Sequence, residues 1–242
     1  MINGVSSWYQ PCHLFYDMSK RKIKLVIFDL DGTLVDAYQA VSRSLNYALE
    51  KVGLPRMDDE VIKRKVGWGE KVLVQSFVPE EKLDETLALY RKHHKSELKT
   101  GAKFLPGAKE IISLLKEEQY MMAIASNRPT VFTHIILECL GIRGAFSCIL
   151  CADKVKHPKP SGDLLVHILE NLSVEADEAL YVGDMTIDIQ TGMSANIKTV
   201  AVLTGSCYRE ELEVLRPYSI IQHIDELPGI LERLNGWKKA KK

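Results

Sequence analysis

Asp29 and Asp31 have the spacing of two acidic groups that act on one ligand. They lie in residues 28–33 (FDLDGT), directly after an apolar, strand-like run. On an extended segment, side chains two residues apart point to the same side. Ligands of open α/β sheets bind beyond the carboxyl ends of the strands, and Gly32 would let the backbone approach such a ligand closely. The pair therefore indicates a reactive site, although a solvated turn has the same pattern.

Three further apolar runs end in residues of matching chemistry. Ser126 and Asn127 follow the second run, where a hydroxyl and amides could hold an anion beside the next helix. Lys159 stands between two prolines, which would stiffen its turn. Asp184 and Asp188 follow the fourth run. Taken singly, each is also compatible with a turn residue, a solvated lysine or an acid in the first turn of a helix.

The combined charge of these residues favours a functional site over a set of ordinary turn and surface residues. Asp29, Asp31, Asp184 and Asp188 at one sheet edge would carry about four negative charges, which repel one another unless they are compensated. Mg²⁺ is a hard divalent cation that prefers oxygen ligands and commonly accompanies phosphate. Lys159 could bind a phosphate as a point charge. The set predicts a magnesium-dependent phosphate site.

Elements that alternate between strand and helix position these groups. Short apolar runs separated by helical patterns indicate a parallel sheet covered on both faces, so we expect an α/β, Rossmann-like fold. The predicted strands are Lys24–Phe28, Met121–Ala125, Ser147–Cys151, Ala179–Val182, Thr199–Val202 and Ser219–Ile221. The predicted helices are Gly107–Gln119, Thr130–Leu140, Ser161–Asn171, with Ser161 as its N-cap, and Thr186–Ala195.

One long stretch breaks the alternation. Residues 37–104 show only helical periodicity, so we predict an inserted all-helical domain with hinges at Leu34–Ala37 and Gly101–Pro106. Residues 18–36 and 105–242 would then form the α/β core.

The remaining N-terminal residues, 1–17, lack both periodicity and the pattern of a signal peptide. We expect them to be a loosely held tail, with Met18 as the natural start. At the other end, residues 236–242 (GWKKAKK) read as a frayed, solvated terminus.

Composition excludes several functional classes. The 242 residues carry 32 Lys and Arg against 32 Asp and Glu, so no net charge points to nucleic acid or an anionic membrane. No apolar run approaches the ~18–20 residues of a membrane helix. An odd, scattered set of cysteines predicts reduced thiols and a cytoplasmic location. Cys148 and Cys151 form a C-x-x-C, but on a strand they would face opposite sides and could not share a metal.

The four motifs together resemble those of the haloacid dehalogenase-like superfamily of phosphotransferases. The shared patterns are D-x-D-G-T, S/T-N, K-P and G-D-x-x-x-D, in this order from residue 29 to residue 188. The inserted helical segment resembles the family's helical cap. The resemblance implies a Mg²⁺-dependent enzyme that acts on small phosphate esters. We expect a monomer or homodimer without nucleic-acid or membrane partners.

The resemblance also implies roles for the site residues. Asp29 would be the nucleophile that forms an aspartyl-phosphate, and Asp31 would be the general acid and then the general base. An acid at position 31 favours phosphoester hydrolysis over dehalogenation, because a halide leaving group needs no proton. The remaining assignments are phosphoryl contacts from Gly32, Thr33, Ser126, Asn127 and Lys159, and Mg²⁺ ligation by Asp29, the Asp31 carbonyl and Asp184, supported by Asp188.

The choice of substrate should depend on the helical segment. Its loop Gly67-Trp68-Gly69 resembles a loop of phosphoglycolate phosphatases, which makes 2-phosphoglycolate the first candidate. Trp68 could be a lid over the substrate or a core residue. The alternatives are a phosphomutase of the β-phosphoglucomutase type, a pyrophosphatase or nucleotidase, and a catalytically silent binding protein.

Five further residues, all arginine, lysine or histidine, have interpretations of their own. Arg64 and Lys71 could meet a second anionic group, although a solvated helix face explains them more simply. His93 and His94 also read as part of a solvated face, with His94 partly buried. Arg128 occupies a position where lysine is common in the phosphoglycolate phosphatases that the chain resembles.

Overall fold

A computed structural model describes residues 21–236. The predicted N-terminal tail, the proposed start at Met18 and residues 237–242 of the predicted C-terminal tail lie outside the described residues. Among those that are described, no helix is long and apolar enough to cross a membrane. The cytoplasmic location and the choice between monomer and homodimer stay predictions.

A six-stranded parallel sheet forms the centre of the α/β fold. Its strands are β1 (Leu25–Phe28), β4 (Met121–Ser126), β5 (Cys148–Cys151), β6 (Ala179–Gly183), β7 (Lys198–Val202) and β8 (Ser219–Ile221). They lie in the order β5-β4-β1-β6-β7-β8. All six lie within two residues of the predicted bounds. The predicted α/β fold is confirmed.

The position of β1 creates the site. From β1 the chain builds β4 and β5 on one side and then β6, β7 and β8 on the other, so the strand order reverses around β1. Phe28 is in register with both Ile124 of β4 and Val182 of β6. The carboxyl ends of these three strands therefore lie within two residues of one another, and the loops that follow them meet at the switch point where α/β sheets bind ligands.

Helices cover both faces of the sheet, as the continuous apolar strands require. They are α5 (Ala108–Glu117), α6 (Thr130–Cys139), α7 (Asp163–Leu172), α8 (Thr186–Ser194), α9 (Arg209–Glu213) and α10 (Leu227–Leu234). Val26 and Phe28 of β1 pack with α5, α6 and α10, whereas Leu25 and Ile27 pack with α7 on the opposite face. The alternation of side chains along β1 thus joins two apolar layers.

The sequence between β1 and β4 contains the helical insertion, which we define as α1 to α4. These helices are α1 (Tyr38–Lys51), α2 (Asp59–Lys63), α3 (Glu70–Gln75) and α4 (Leu83–Gly101). Their buried apolar side chains form a core separate from the two sheet layers. The observed helices agree with the resemblance to a helical cap, and the exact domain division at residues 37–104 stays a prediction.

Two details of the helical and loop predictions are wrong. Residues 37–104 were expected to hold no strand, but β3 (Lys103–Phe104) pairs antiparallel with β2 (Val35–Asp36). The two predicted hinges are therefore joined by a short ribbon. In addition, α7 begins at Asp163 with Gly162 as its N-cap. Ser161 lies one residue too early, and its Oγ accepts a hydrogen bond from the Asp163 backbone N–H at 3.3 Å.

Candidate active site

Asp29 is held at the end of the central strand. Its backbone N–H donates to the carbonyl of Val182 at 2.8 Å, which continues the β1–β6 ladder past the last strand residue. The residue is only 8% exposed, and its Oδ1 accepts a hydrogen bond from Lys159 Nζ at 2.7 Å. The backbone of the sheet thus fixes where this carboxylate lies.

Lys159 reaches Asp29 from a turn that is fastened to the neighbouring loop. Its backbone N–H donates to Asn127 Oδ1 at 3.0 Å, and Asn127 Nδ2 donates back to the Lys159 carbonyl at 3.3 Å. The ammonium also donates to Asp188 Oδ1 at 2.8 Å. Burial disfavours the charged ammonium, yet Asp188 and Asp29 outweigh it and raise the pKa of Lys159 above its ordinary value. Lys159 is therefore a buried, fixed positive charge.

Two further carboxylates follow β6 and the start of α8. Oδ1 of Asp184 accepts a hydrogen bond from Thr33 Oγ1 at 3.0 Å, and its Oδ2 is buried without a partner among the described residues. Asp188 differs, because it receives bonds from Lys159 Nζ, from Tyr181 Oη at 2.7 Å and from the Met185 N–H at 3.0 Å. Asp184 thus has a free ligand atom, and Asp188 holds Lys159.

The donor set fits a hard divalent cation. One carboxylate oxygen each from Asp29, Asp184 and Asp188 lies within 4.8 Å of the others, and all three residues are buried. Burial raises the pKa of Asp29 to about 7; Lys159 lowers it and Asp188 raises it. Burial and the charges of Asp188 and Asp29 raise the pKa of Asp184 well above its ordinary value. A Mg²⁺ ion would stabilise the ionised forms and use the unpartnered oxygen of Asp184.

Gly32 and Thr33 lie at the turn between β1 and the helical insertion. Gly32 adopts φ +82°, and a Cβ there would lie 2.5 Å from Asp184 Oδ2 and from Tyr38 Oη. Its N–H donates to the Val35 carbonyl at 2.8 Å. Only glycine therefore fits this position. In this structure Gly32 bonds to Val35 within the turn, and Thr33 bonds to Asp184. The phosphate contacts of both residues stay predictions.

Asp31 is clamped by a residue that the sequence interpretation gave no role. Arg128 Nε donates to Asp31 Oδ2 and Arg128 Nη2 donates to Asp31 Oδ1, each at 2.7 Å. The two side chains are 7% and 12% exposed. Arg128 Nη1 in turn lies 2.7 Å from His94 Nε2. The sequence predicts a solvated face with His94 partly buried. The solvated position is wrong and the burial is complete, because the ring lies between Tyr90 and Phe132 of α6.

A cavity of about 50 Å³ opens above these groups. This volume is several times the ~10–15 Å³ that a single water needs, so the cavity has room for a small ligand. Its lining consists of Asp29, Asp31, Val41, Val66, Gly67, Gly69, Glu70, Leu73, Tyr90, Ser126, Asn127, Arg128, Pro129 and Phe132. The structure thus brings the predicted carboxylate pair and the Ser-Asn pair to one cavity, beside the buried Lys159–Asp188 pair.

The glycine loop of the helical insertion closes one side of the cavity. The carbonyl of Gly67 accepts a hydrogen bond from Asn127 Nδ2 at 3.1 Å, and Gly67 and Gly69 both line the cavity. Trp68 between them is 42% exposed and does not belong to the lining. The core alternative for Trp68 is therefore wrong, and a lid role stays a prediction.

Arg64 and Glu70 are both charged residues of the insertion, but only Glu70 of the two lines the cavity. Arg64 pairs with Glu211 of α9 through two hydrogen bonds of 3.0 and 2.7 Å, and it is not among the residues that line the cavity. Glu70 lines the cavity with its side chain 10% exposed. Its Oε1 accepts from Arg91 Nε at 2.6 Å, and its Oε2 is buried without a partner among the described residues. Sequence interpretation missed Glu70, which directly follows the glycine loop.

Comparison with known proteins places this geometry in a family. Residues 26–202 match the family model of the haloacid dehalogenase-like hydrolases. A phosphoglycolate phosphatase from Colwellia psychrerythraea is 29% identical over 226 residues, covering 89% of this chain and 100% of the relative. One from Rhodospirillum rubrum is 32% identical over 193 residues, covering 75% and 80%.

Solved structures agree with the sequence comparison. The crystal structure of a predicted phosphoglycolate phosphatase from Haemophilus somnus has a TM-score of 0.82 at 26% identity, covering 86% of this chain and 98% of that one. A predicted phosphatase from Clostridium acetobutylicum has a TM-score of 0.78 at 28% identity, covering 87% and 99%. The chain is a member of the haloacid dehalogenase-like hydrolase family.

Proposed function

We propose that the protein is a Mg²⁺-dependent phosphatase that hydrolyses a small phosphomonoester through a phosphoryl group carried on Asp29. One observation carries the proposal. The Asp29 carboxylate reaches the cavity from a fixed strand end, with a buried ammonium at 2.7 Å and the Asp184 carboxylate beside it. Cations held at fixed positions stabilise the charge of a transferring phosphoryl group, so this arrangement favours phosphoryl transfer.

The proposed roles follow the positions of the groups. An oxygen of Asp29 attacks phosphorus and expels the leaving alcohol, and Asp31 gives that alcohol a proton. Asp31 then takes a proton from the water that hydrolyses the aspartyl-phosphate. Ser126, Asn127 and Lys159 hold the phosphoryl oxygens. Asp29, the Asp31 carbonyl and Asp184 would hold Mg²⁺, which would supply charge neutralisation. Covalent transfer divides one difficult displacement into two easier ones.

The first candidate substrate is 2-phosphoglycolate. Two observations support it: several of the most similar curated relatives are named phosphoglycolate phosphatases at about 29% identity, and the cavity is small. A pyrophosphatase or nucleotidase remains an alternative within the same chemistry. The small cavity favours a compact leaving group over a nucleoside.

One observation favours a second candidate, an ester whose leaving group carries a hydroxyl. The unpartnered Oε2 of Glu70 can accept a hydrogen bond from a hydroxyl, whereas it would repel the carboxylate of phosphoglycolate. A phosphomutase acting on a sugar phosphate belongs to this second class, because it returns the phosphoryl group to a bound hydroxyl. Glu70 thus separates two kinds of substrate.

A phosphate-release assay tests the proposal. The panel contains 2-phosphoglycolate, glycerol phosphate, a hexose phosphate, pyrophosphate, a nucleotide and an aryl phosphate, with and without Mg²⁺. The Asp29→Asn variant is the blank. We expect release that needs Mg²⁺ and Asp29, with phosphoglycolate preferred, and in a Glu70→Gln variant a further gain for phosphoglycolate. No release from any ester would contradict the phosphatase, and a need for a bisphosphate activator would favour the mutase.

A further inference from the structure

All three guanidinium nitrogens of Arg128 form hydrogen bonds, two with Asp31 and one with His94. Nε and Nη2 grip the two oxygens of Asp31 at 2.7 Å each, and Nη1 contacts His94 Nε2 at 2.7 Å. A guanidinium offers only donors, so Nε2 of His94 must be the acceptor. The planar fork fixes the plane of the Asp31 carboxylate, which a single ammonium could not do.

His94 is itself held in one orientation. Because Nε2 accepts, the ring proton is assigned to Nδ1, which lies 3.1 Å from Ser44 Oγ. The Ser44 hydroxyl donates to the Ala40 carbonyl at 2.7 Å. The ring also stacks on Tyr90 at a centroid distance of 4.8 Å and meets Phe132 edge-on at 5.0 Å. A chain of hydrogen bonds therefore runs from α1 through α4 to Asp31.

We propose that Arg128 is a positioning residue for the acid–base group Asp31, and that His94 of the helical insertion holds Arg128 in the required orientation. The inference rests on the proposed function, in which Asp31 protonates the leaving alcohol. A carboxyl group transfers a proton efficiently only when it points at the oxygen that receives it. Each oxygen of Asp31 has two lone pairs, of which the guanidinium uses one, so the proton to be donated occupies the free lone pair of one oxygen. The helical insertion therefore contributes to catalysis through His94 without touching the substrate.

The test compares two esters that differ in their need for an acid. An alkyl phosphate has a poor leaving group that requires protonation, whereas an aryl phosphate with an electron-withdrawing ring does not. For each ester, kcat/KM reports the steps up to departure of the leaving group. We expect Arg128→Lys and Arg128→Met to lower kcat/KM for the alkyl ester by about 10-fold to 100-fold, which is part of the ~10²–10⁴-fold that a general acid usually contributes. For the aryl ester the loss should stay below about threefold.

Variants of His94 test the second half of the inference. The amide oxygen of a glutamine can replace Nε2 as acceptor, so His94→Gln should keep most of the activity on the alkyl ester. His94→Leu keeps the apolar volume but removes the acceptor, and should show the same selective loss as Arg128→Lys. Arg64→Met is the matched control, because it breaks another two-bond Arg–carboxylate pair between the insertion and the α/β core. It should leave the alkyl-to-aryl ratio unchanged.

The outcomes separate this inference from the function on which it rests. Equal losses on both esters in the Arg128 variants, or no recovery in His94→Gln relative to His94→Leu, would overturn the positioning role while leaving the phosphatase intact. A wild-type protein that cleaves neither ester would contradict the proposed function and the inference with it. Selective loss on the alkyl ester supports both.

Discussion

The Lys159 ammonium lies 2.7 Å from Oδ1 of Asp29 and so ties the proposed phosphate-binding cation directly to the proposed nucleophile. Asp188 completes the arrangement by accepting from the same ammonium at 2.8 Å. The positive charge is therefore in place before any substrate binds. Because the groups are held by the sheet and by a turn between two prolines, little reorganisation is needed when a phosphoryl group arrives.

Replacing Lys159 by methionine should lower both activity and stability. The change leaves Asp29 and Asp188 as buried like charges without their shared partner. Loss of one partner of a buried ion pair costs about 3–5 kcal/mol of unfolding free energy. Loss of a fixed charge at the phosphoryl group should reduce kcat by about 10²–10³. Urea unfolding of the metal-free protein and phosphate-release kinetics measure the two effects.

Lys154→Met is the control for that experiment, since the exposed Lys154 forms an ion pair with the surface residue Asp153, 3.8 Å away. We expect changes below about 0.5 kcal/mol and twofold in rate. A Lys159→Met protein with wild-type kcat would remove Lys159 from the phosphate site.

Magnesium affinity should rise with pH. In the metal-free protein the pKa of Asp29 is raised to about 7 by burial, and Mg²⁺ binds the ionised form. Below pH 7 the ion must displace a proton, and above pH 7 it need not. From one such group we expect binding about tenfold tighter near pH 8 than near pH 6. The raised pKa of Asp184 should increase this difference.

Calorimetric titration with Mg²⁺ at the two pH values measures this difference in affinity. The Asp184→Asn variant should not bind Mg²⁺ measurably at either pH. Equal affinity at both pH values would show that Asp29 is already ionised throughout this range. That result would contradict the burial argument for the metal site.

His94 should make the protein less stable in acid. Burial, followed by the charge of Arg128, lowers the pKa of His94 from 6.5 to about 2. The unfolded chain therefore binds more protons below pH 6.5. The stability that the neutral ring contributes is complete above pH 6.5 and is lost as the pH falls. Between pH 6.5 and about pH 5 we expect a loss of about 2 kcal/mol.

A comparison of wild type with His94→Gln isolates this contribution, because glutamine does not titrate and the remaining groups are common to both. Urea unfolding at several pH values should give a smaller loss for the variant. Parallel pH profiles of the two proteins would show that the pKa of His94 is the same in the folded and unfolded states, which would contradict the argument from burial.

The sequence predicts the fold and the carboxylate–lysine cluster because each depends on local signals. Apolar runs define the strands, and every group of the cluster follows the end of one. Parallel strands bring their carboxyl ends to one edge, so positions far apart in the chain, such as Asp29 and Lys159, could be placed together before their contact was seen. The glycine-aspartate motif alone was enough to predict Asp184 as a site residue.

Residues that the sequence interpretation misjudged depend on packing between the helical insertion and the α/β core. His94 lies on a helix rich in charged residues, and nothing local shows that this side of α4 faces Arg128. Glu70 likewise becomes significant only because its loop folds over the cavity. Such contacts depend on how two hydrophobic cores meet, which periodicity along one segment does not reveal.

The most direct test of the central claim is to trap the phosphoryl group on the enzyme. Asp31→Asn should still react with an activated aryl phosphate in the presence of Mg²⁺, because that leaving group needs no acid. It should then hydrolyse the aspartyl-phosphate slowly, because the general base is missing. After acid quench and digestion, mass spectrometry should find one phosphoryl group on the peptide that contains Asp29. The Asp29→Asn/Asp31→Asn double variant should carry none. A stoichiometric burst of aryl alcohol without phosphoryl on Asp29, or with phosphoryl on another residue, would contradict the account.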